Sequence, residues 1–447
     1  MHASAVVALL PVLPRSLGVG ESGGVEWVVI AYFLALSISL LTFGQLGDSW
    51  GHRRIYLAGM CVFVASSALC GVARQLPALI AFRAGQGLGA AMVSATATAI
   101  LGRTLAPDRR GGAVGWQSAM TYFGLILGPA VGGFLAGRSA WRYVFLLNVC
   151  VGLPALWAAQ RFIPRDDESA GPRRPLDLRG SALWSCALVA ALLVLNRGQT
   201  WGWASGRVLA LSGLAALLLS GFVYVEARAD NPLLGPRLMR NFGLSAAALS
   251  EMLYYCCTYA AGFLLPLFLI RVMGMEPFRA GLLLAVPAVA RMLAAPVSGV
   301  IADRAGARRP TTAGVALLAV AFISLAQVTA DISLNRLSLS LILLGCATGV
   351  FVPGNSTALL ASAPHGLKGS AVAVLGTARN VGMALGTMCA ASIYAAAPGD
   401  GAGARLSAIR LGFAACGGLA ALMLLIPLAE WGRGGAAVCG EGASAGA

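Results

Sequence analysis

Two stretches, GQLGDSWGHRR at residues 44–54 and GVIADRAGARR at residues 299–309, decide how this chain folds. Each joins two apolar runs: 26–47 to 55–73 in the first copy, 279–302 to 311–329 in the second. Connections this short demand a sharp turn, and Gly44, Gly51 and Gly306 give the backbone that freedom. Asp48 and Asp303 sit at the end of the preceding helix. There a carboxylate can accept hydrogen bonds from the positive N-terminus of a neighbouring helix. Arg53, Arg54 and Arg304 suit a loop held at an anionic membrane surface. The two acids are 255 residues apart (303 − 48) and lie between corresponding spans, the signature of an internal repeat. The expected partner of Asp48 is the N-terminus of the run that begins near Ser370.

Composition agrees with the repeat. Of the 447 residues, 58% are hydrophobic and 11% charged, where soluble domains carry about 25% charge. Mean hydropathy is +0.80. An ordinary soluble enzyme, a disordered chain and a disulfide-rich secreted module are excluded. The net charge is +15, yet the Arg residues fall in short clusters between apolar runs, which is the pattern of membrane-surface loops and not of nucleic-acid binding. Most of the ten Cys lie inside apolar runs, and no C-x-x-C occurs. Buried structural thiols are expected, with no zinc site and no cofactor.

A spanning helix needs about 20 apolar residues. Fourteen runs qualify as spans: 1–13, 26–47, 55–73, 77–101, 112–137, 142–163, 180–196, 205–225, 242–270, 279–302, 311–329, 337–360, 370–396 and 406–428. The fold class is an all-α integral membrane protein, two six-helix bundles with two additional helices between them. The boundaries are 1–164 for the first bundle, 165–241 for a cytoplasmic linker and the two inserted helices, 242–428 for the second bundle, and 429–447 for a tail. Lys and Arg favour the loops that put both termini in the cytoplasm. The first run is short of a ~30 Å core at ~1.5 Å per residue, and it lacks the basic start of a signal peptide. The reading frame is therefore expected to extend upstream by about ten or more residues.

The repeated loop resembles the G-x-L-a-D-x-x-G-r-r signature of the major facilitator superfamily. RAGQGLGAA (83–91), with Arg83 and Gln86, resembles its fourth-span motif. GLILGPAVGG (124–133) is similar to its fifth-span antiporter motif through Gly124, Gly128, Pro129, Gly132 and Gly133. WRYVFLLN (141–148) and RNVG (379–382) resemble further family stretches. With fourteen spans, the resemblance is to the drug:proton antiporters. It implies proton-coupled export of a small amphiphilic or drug-like molecule by alternating access, driven by the proton gradient. It also implies an inner-membrane protein, a monomer, with protons, one small molecule and the bilayer as partners. The family's first-span acid is replaced here by His2. The fifth-span glycines recur every fourth residue, so one flat face admits a close neighbour, and Pro129 permits a kink.

A charge at mid-bilayer costs about 2.5–3.5 kcal/mol on insertion scales, which makes such residues functional candidates. Counting ~1.5 Å per residue places Glu251, Arg291 and Arg379 at one depth, the midplane. Tyr255 and Thr258 follow Glu251 at i+4 and i+7, a polar aromatic stripe able to line a cavity. Glu251 is expected to pair with Arg291 or Arg379, as a proton carrier or as a packing element. Arg83, near the opposite face, is expected to reach toward Ser4 and His2 or to bond backbone carbonyls. No G-x-x-x-x-G-K-[ST] phosphate loop exists, so ATP is not the direct energy source. No nucleophile–base pair suggests an enzyme. Two other functions fit the sequence: a dedicated exporter of one endogenous metabolite or antibiotic, and a non-transporting carrier retained for binding.

Overall fold

The computed structural model describes residues 6, 13, 25, 27–136, 140–165, 177–202, 205–229, 242–363, 367–396 and 402–426. Among them the secondary structure is helical. The helices are α1 (Trp27–Trp50), α2 (His52–Val72), α3 (Leu76–Thr104), α4 (Arg110–Ala136), α5 (Arg142–Phe162), α6 (Leu178–Trp201) and α7 (Gly206–Glu226), followed by α8 (Phe242–Leu267), α9 (Pro277–Ala305), α10 (Arg308–Ala326), α11 (Leu334–Ser362), α12 (Lys368–Ala395) and α13 (Ala402–Met423). They match thirteen of the fourteen expected runs within a few residues. The first run, 1–13, lies outside the described residues apart from two positions. Ten described helices are long and apolar enough to cross a membrane, so a count of fourteen spans is not established.

Local sequence sets the helix ends. Gly51 (φ 102°) and Gly306 (φ 84°) turn the chain between α1 and α2 and between α9 and α10 in a conformation other residues resist. Pro lies in the first turn of α3 and of α9, where its missing N–H has no helical partner to lose. Asp177 caps α6 by accepting from Gly180 N at 2.8 Å.

The described chain forms two compact units. One contains residues 1–106, 121–240 and 363–377; the other contains 107–120, 241–362 and 378–447. In the first, α3 packs on α1 and α2, and α2 on α5; in the second, α11 packs on α9 and α10, and α10 on α13. The same pairs recur in the same order, as the repeat requires. Large apolar side chains face outward: Phe162 is 73% exposed, Leu217 70% and Trp157 66%. Arg83, Gln86 and Glu251 have no exposure at all. Apolar outside and polar within suits a lipid solvent. The cysteines correct one expectation. All nine described are free, but Cys61, Cys150, Cys186 and Cys389 are exposed. On an exposed face that meets lipid, an apolar thiol carries no penalty.

Small residues set the crossing that matters most below. A side chain at Gly382 would strike the Met252 carbonyl, and one at Gly386 the Cys256 carbonyl. These two positions, a turn apart on α12, let its backbone lie directly on α8. Gly382→Val should therefore force the helices apart, at a cost of about 1–3 kcal/mol or more. The check is thermal unfolding of the solubilised protein, with a midpoint several degrees lower expected.

Candidate functional site

Four groups of buried or half-buried polar residues stand out. In the first unit, Asp48 at the end of α1 faces the start of α12. Its Oδ1 accepts from Gly369 N at 2.8 Å; its Oδ2 accepts from Ser370 N and Ser370 Oγ, both at 2.7 Å. The first N–H groups of a helix have no intrahelical acceptor, and the helix dipole favours a carboxylate there. Gly44 makes the approach possible: its own absent side chain would meet Gly369 O and Ala373 Cβ. Asp48 thus meets the helix N-terminus that the dipole argument selected.

His52, one turn beyond Asp48, is 3% exposed, and its Nε2 lies 3.3 Å from Asp48 Oδ1. Its Nδ1 is 3.0 Å from Arg103 Nη1. Arg can only donate, so Nδ1 accepts and the proton belongs on Nε2, facing the carboxylate. Lys368, the first residue of α12, donates to Gly102 O at 2.6 Å. Arg53 reaches Gln160 O at 2.6 Å, fastening the loop to α5.

The second unit repeats the device. Asp303, at the end of α9, accepts from Gly111 N at 2.5 Å and Gly112 N at 2.6 Å, the first turn of α4. Gly299 is the counterpart of Gly44, and a side chain there would overlap the Gly111 carbonyl. In both copies a glycine four residues before the acid lets the crossing helix come near enough for the carboxylate to reach its amides. Arg304 is exposed beside the turn at Gly306.

Also in the second unit, Glu251 Oε1 accepts from Arg379 Nε at 2.9 Å and Nη2 at 2.6 Å. Glu251 Oε2 accepts from Asn355 Nδ2 at 2.8 Å, and the same amide donates to Ala247 O at 3.0 Å. The Arg379 guanidinium lies 4.9 Å from the Tyr255 ring centroid, a cation–π contact. Of the two arginines at this depth, Arg379 holds the acid. Arg291 Nε bonds Pro287 O on its own helix. Glu251 is fully buried while the Arg379 side chain is 32% exposed, so the acid is reached past the arginine or past Asn355. The polar stripe is divided. Tyr254 is fully buried, stacked on Phe351 with centroids 4.0 Å apart and bonded to Thr348. The Thr258 hydroxyl is spent on Tyr254 O at 2.7 Å.

In the first unit, Arg83 Nε donates to Val28 O and Nη1 to Gln86 Oε1, both at 2.7 Å, and its guanidinium lies 4.4 Å from the Tyr32 centroid. Gln86 Nε2 donates to Ser67 Oγ at 2.6 Å, and Ser67 donates to Phe63 O at 2.7 Å. Ser67 has spent its proton, so it accepts from Gln86, which turns the amide oxygen toward Arg83. Backbone bonding by Arg83 is one of the two expected outcomes; Ser4 and His2, the other partners, lie outside the described residues. Gln86→Leu removes a charge-assisted acceptor from a buried guanidinium and should cost about 1–3 kcal/mol. Loss of thermal stability in Gln86→Leu, with Gln86→Glu spared, is the expected result.

The antiporter stretch, Gly124 to Gly133, lies on α4, with Gly128 and Gly132 buried. The sequence reading did not single out His52, Asn355, Ser67 or Lys368 as site residues. His52 carried a signal, since it stands at i+4 from Asp48. Asn355 did too, as an amide in an otherwise apolar span.

A helical chain with apolar outward surfaces, a repeated helix-terminal acid and a buried carboxylate held by an arginine is a multi-pass membrane transporter. The chain belongs to the major facilitator superfamily, whose family model matches residues 1–387 and 247–434. A tetracenomycin C resistance and export protein of Streptomyces glaucescens is 32% identical over 376 residues, 84% of this chain and 70% of that protein. A multidrug resistance protein of Mycobacterium tuberculosis is 30% identical over 403 residues, covering 89% and 73%. A riboflavin transporter of Clostridioides difficile is 28% identical over 374 residues, covering 83% and 80%. Among solved structures, a human organic anion transporter superposes with a TM-score of 0.65 at 19% identity, covering 95% of this chain and 96% of that one. A proton:xylose symporter gives 0.62 at 15%, covering 95% and 91%. These two share the fold.

Proposed function

We propose that this protein is an inner-membrane exporter that exchanges a small amphiphilic or drug-like molecule for protons. Both termini are cytoplasmic in this reading. The observation that carries it is the fully buried Glu251 held by Arg379 and Asn355. A proton and the Arg379 guanidinium compete for one carboxylate. With the acid ionised the pair closes; with it protonated Arg379 is released toward Tyr255 and the exposed side. That is the minimum an antiporter needs, a site that carries either a proton or a fixed charge. Asp48 and Asp303 then act as latches, each holding a helix N-terminus in one state and freeing it in another. Arg83 serves a supporting part in the first unit, and Gly124, Gly128, Pro129, Gly132 and Gly133 allow α4 to move.

The relatives named for multidrug resistance and for tetracenomycin C resistance and export support a small exported molecule as the cargo. A dedicated exporter of a single metabolite is the second reading, favoured by relatives named for one compound each. One assay separates these. Everted vesicles from an efflux-deficient host are given a panel of cationic dyes and other amphiphilic drugs, with and without an uncoupler. Uptake of several compounds that the uncoupler abolishes supports the multidrug reading; uptake of one supports the second. Uptake insensitive to the uncoupler would overturn proton coupling.

A further inference from the structure

A cavity of about 20 Å³ lies in the second unit beside Asn355. Ser250, Thr311, Ala247 and Arg308 line it too, with Ile426 at its edge. Arg308 is the first residue of α10 and Ile426 lies past the end of α13. The cavity therefore opens at the helix ends that the proposed orientation puts at the cytoplasm. Its size is that of one water, which needs roughly 10–15 Å³ and two to four polar partners. Those partners exist. Ser250 is 4% exposed, and its hydroxyl has no hydrogen-bond partner among the described residues. Thr311 donates to Ala307 O, which leaves its oxygen free to accept. Both Nδ2 protons of Asn355 are taken, by Ala247 O and Glu251 Oε2. Both those partners are acceptors, so the amide orientation is fixed and Asn355 offers the cavity its oxygen.

We infer that this cavity is a hydration site through which Glu251 exchanges its proton with the cytoplasm, and that the Asn355 amide is its gate. The inference rests on the reading of Glu251 as the proton carrier. With Glu251 ionised, Oε2 needs a donor and Asn355 presents Nδ2, as observed. With Glu251 protonated on Oε2, the new O–H needs an acceptor, so Asn355 must turn and present Oδ1. Its Nδ2 then faces the cavity. On release, Asn355 swings aside so that the cavity water reaches Oε2; the Oε2–H bond breaks, the proton passes to that water as hydronium, and the electron pair stays on the carboxylate. Asn355 then swings back and Arg379 closes on Oε1. The charged groups bordering this path are Arg379 on α12 and Arg308 on α10. Arg308 at the mouth raises the energy of a hydronium passing it in either direction.

The test needs no cargo. The full chain is reconstituted in liposomes with the Arg308 face outward, and infrared difference spectra are followed after a pH jump on that face. The carboxyl band missing from Glu251→Gln is that of Glu251. The Ser250→Ala, Thr311→Val double variant removes two anchors of the water with little change in volume. It should slow the response of that band about tenfold, while Asn355→Ser, with a shorter gate, should speed it. An unchanged rate in both variants overturns the cavity as the route but leaves Glu251 as the proton site. A wild-type protein in which no Glu251 band responds to pH overturns the proton-carrier reading, and the inference falls with it.

Discussion

Glu251→Gln is expected to reduce proton-driven transport by well over tenfold, a barrier increase of at least ~1.4 kcal/mol, while the protein still reaches the membrane. Gln keeps an oxygen for Arg379 and fits the same space, but it cannot hold an exchangeable proton. A structural ion pair behaves differently. Removing one partner of a buried pair costs about 3–5 kcal/mol because the other charge is stranded, and removing both is often neutral. Arg379 is one-third exposed, which places its stranding cost at the low end. The double variant Glu251→Gln, Arg379→Gln therefore discriminates. If Glu251 carries the proton, the double variant stays uncoupled. If the pair only packs α8 against α12, the double variant regains proton-driven efflux. Arg291→Gln is the control, since the count along the helix puts Arg291 at a similar depth and its Nε bonds Pro287 O on its own helix.

Asp48→Asn should free the start of α12. The carboxylate accepts three hydrogen bonds there. Asn keeps one acceptor and turns an NH₂ toward a backbone N–H, so one donor faces another. Losing charge-assisted bonds and the dipole term together amounts to roughly 2–4 kcal/mol, a shift of about 30- to 1,000-fold in the occupancy of this contact. Hydrogen exchange reads it directly. The Gly369 and Ser370 amides have no intrahelical acceptor, so their protection depends on Asp48. Peptides covering 368–371 should exchange at least ~30-fold faster in Asp48→Asn, those over α5 should not change, and transport should fall. Unchanged protection would remove the latch from the account. Asp303→Asn should do the same for Gly111 and Gly112.

The apolar runs located thirteen described helices because a run of about 20 apolar residues in lipid satisfies its own backbone only as a helix. The repeat exposed both latches, since glycine, acid and turn are all local. Asp48 could even be given its partner, because an acid at one helix end seeks the nearest positive helix end. Glu251 was legible only as far as its depth. Three charges at one level do not say which two meet; that is decided by Gly382 and Gly386, which bring α12 onto α8, and by Arg291 turning to its own helix. Asn355 was hidden for the same reason, since its partner lies 104 residues away on another helix. The cysteines were misread because in a bilayer an apolar run has an outside that is also apolar.

Proton exchange for cargo at Glu251 is tested most directly by the pH inside proteoliposomes. The purified chain is reconstituted around a trapped pH-sensitive dye, and ethidium is added outside with no imposed pH gradient. The account predicts that entering ethidium drives protons out, so the lumen turns alkaline with the wild type and stays unchanged with Glu251→Gln. A wild-type-sized pH change in Glu251→Gln, or ethidium entry through the wild type with no pH change, would contradict it.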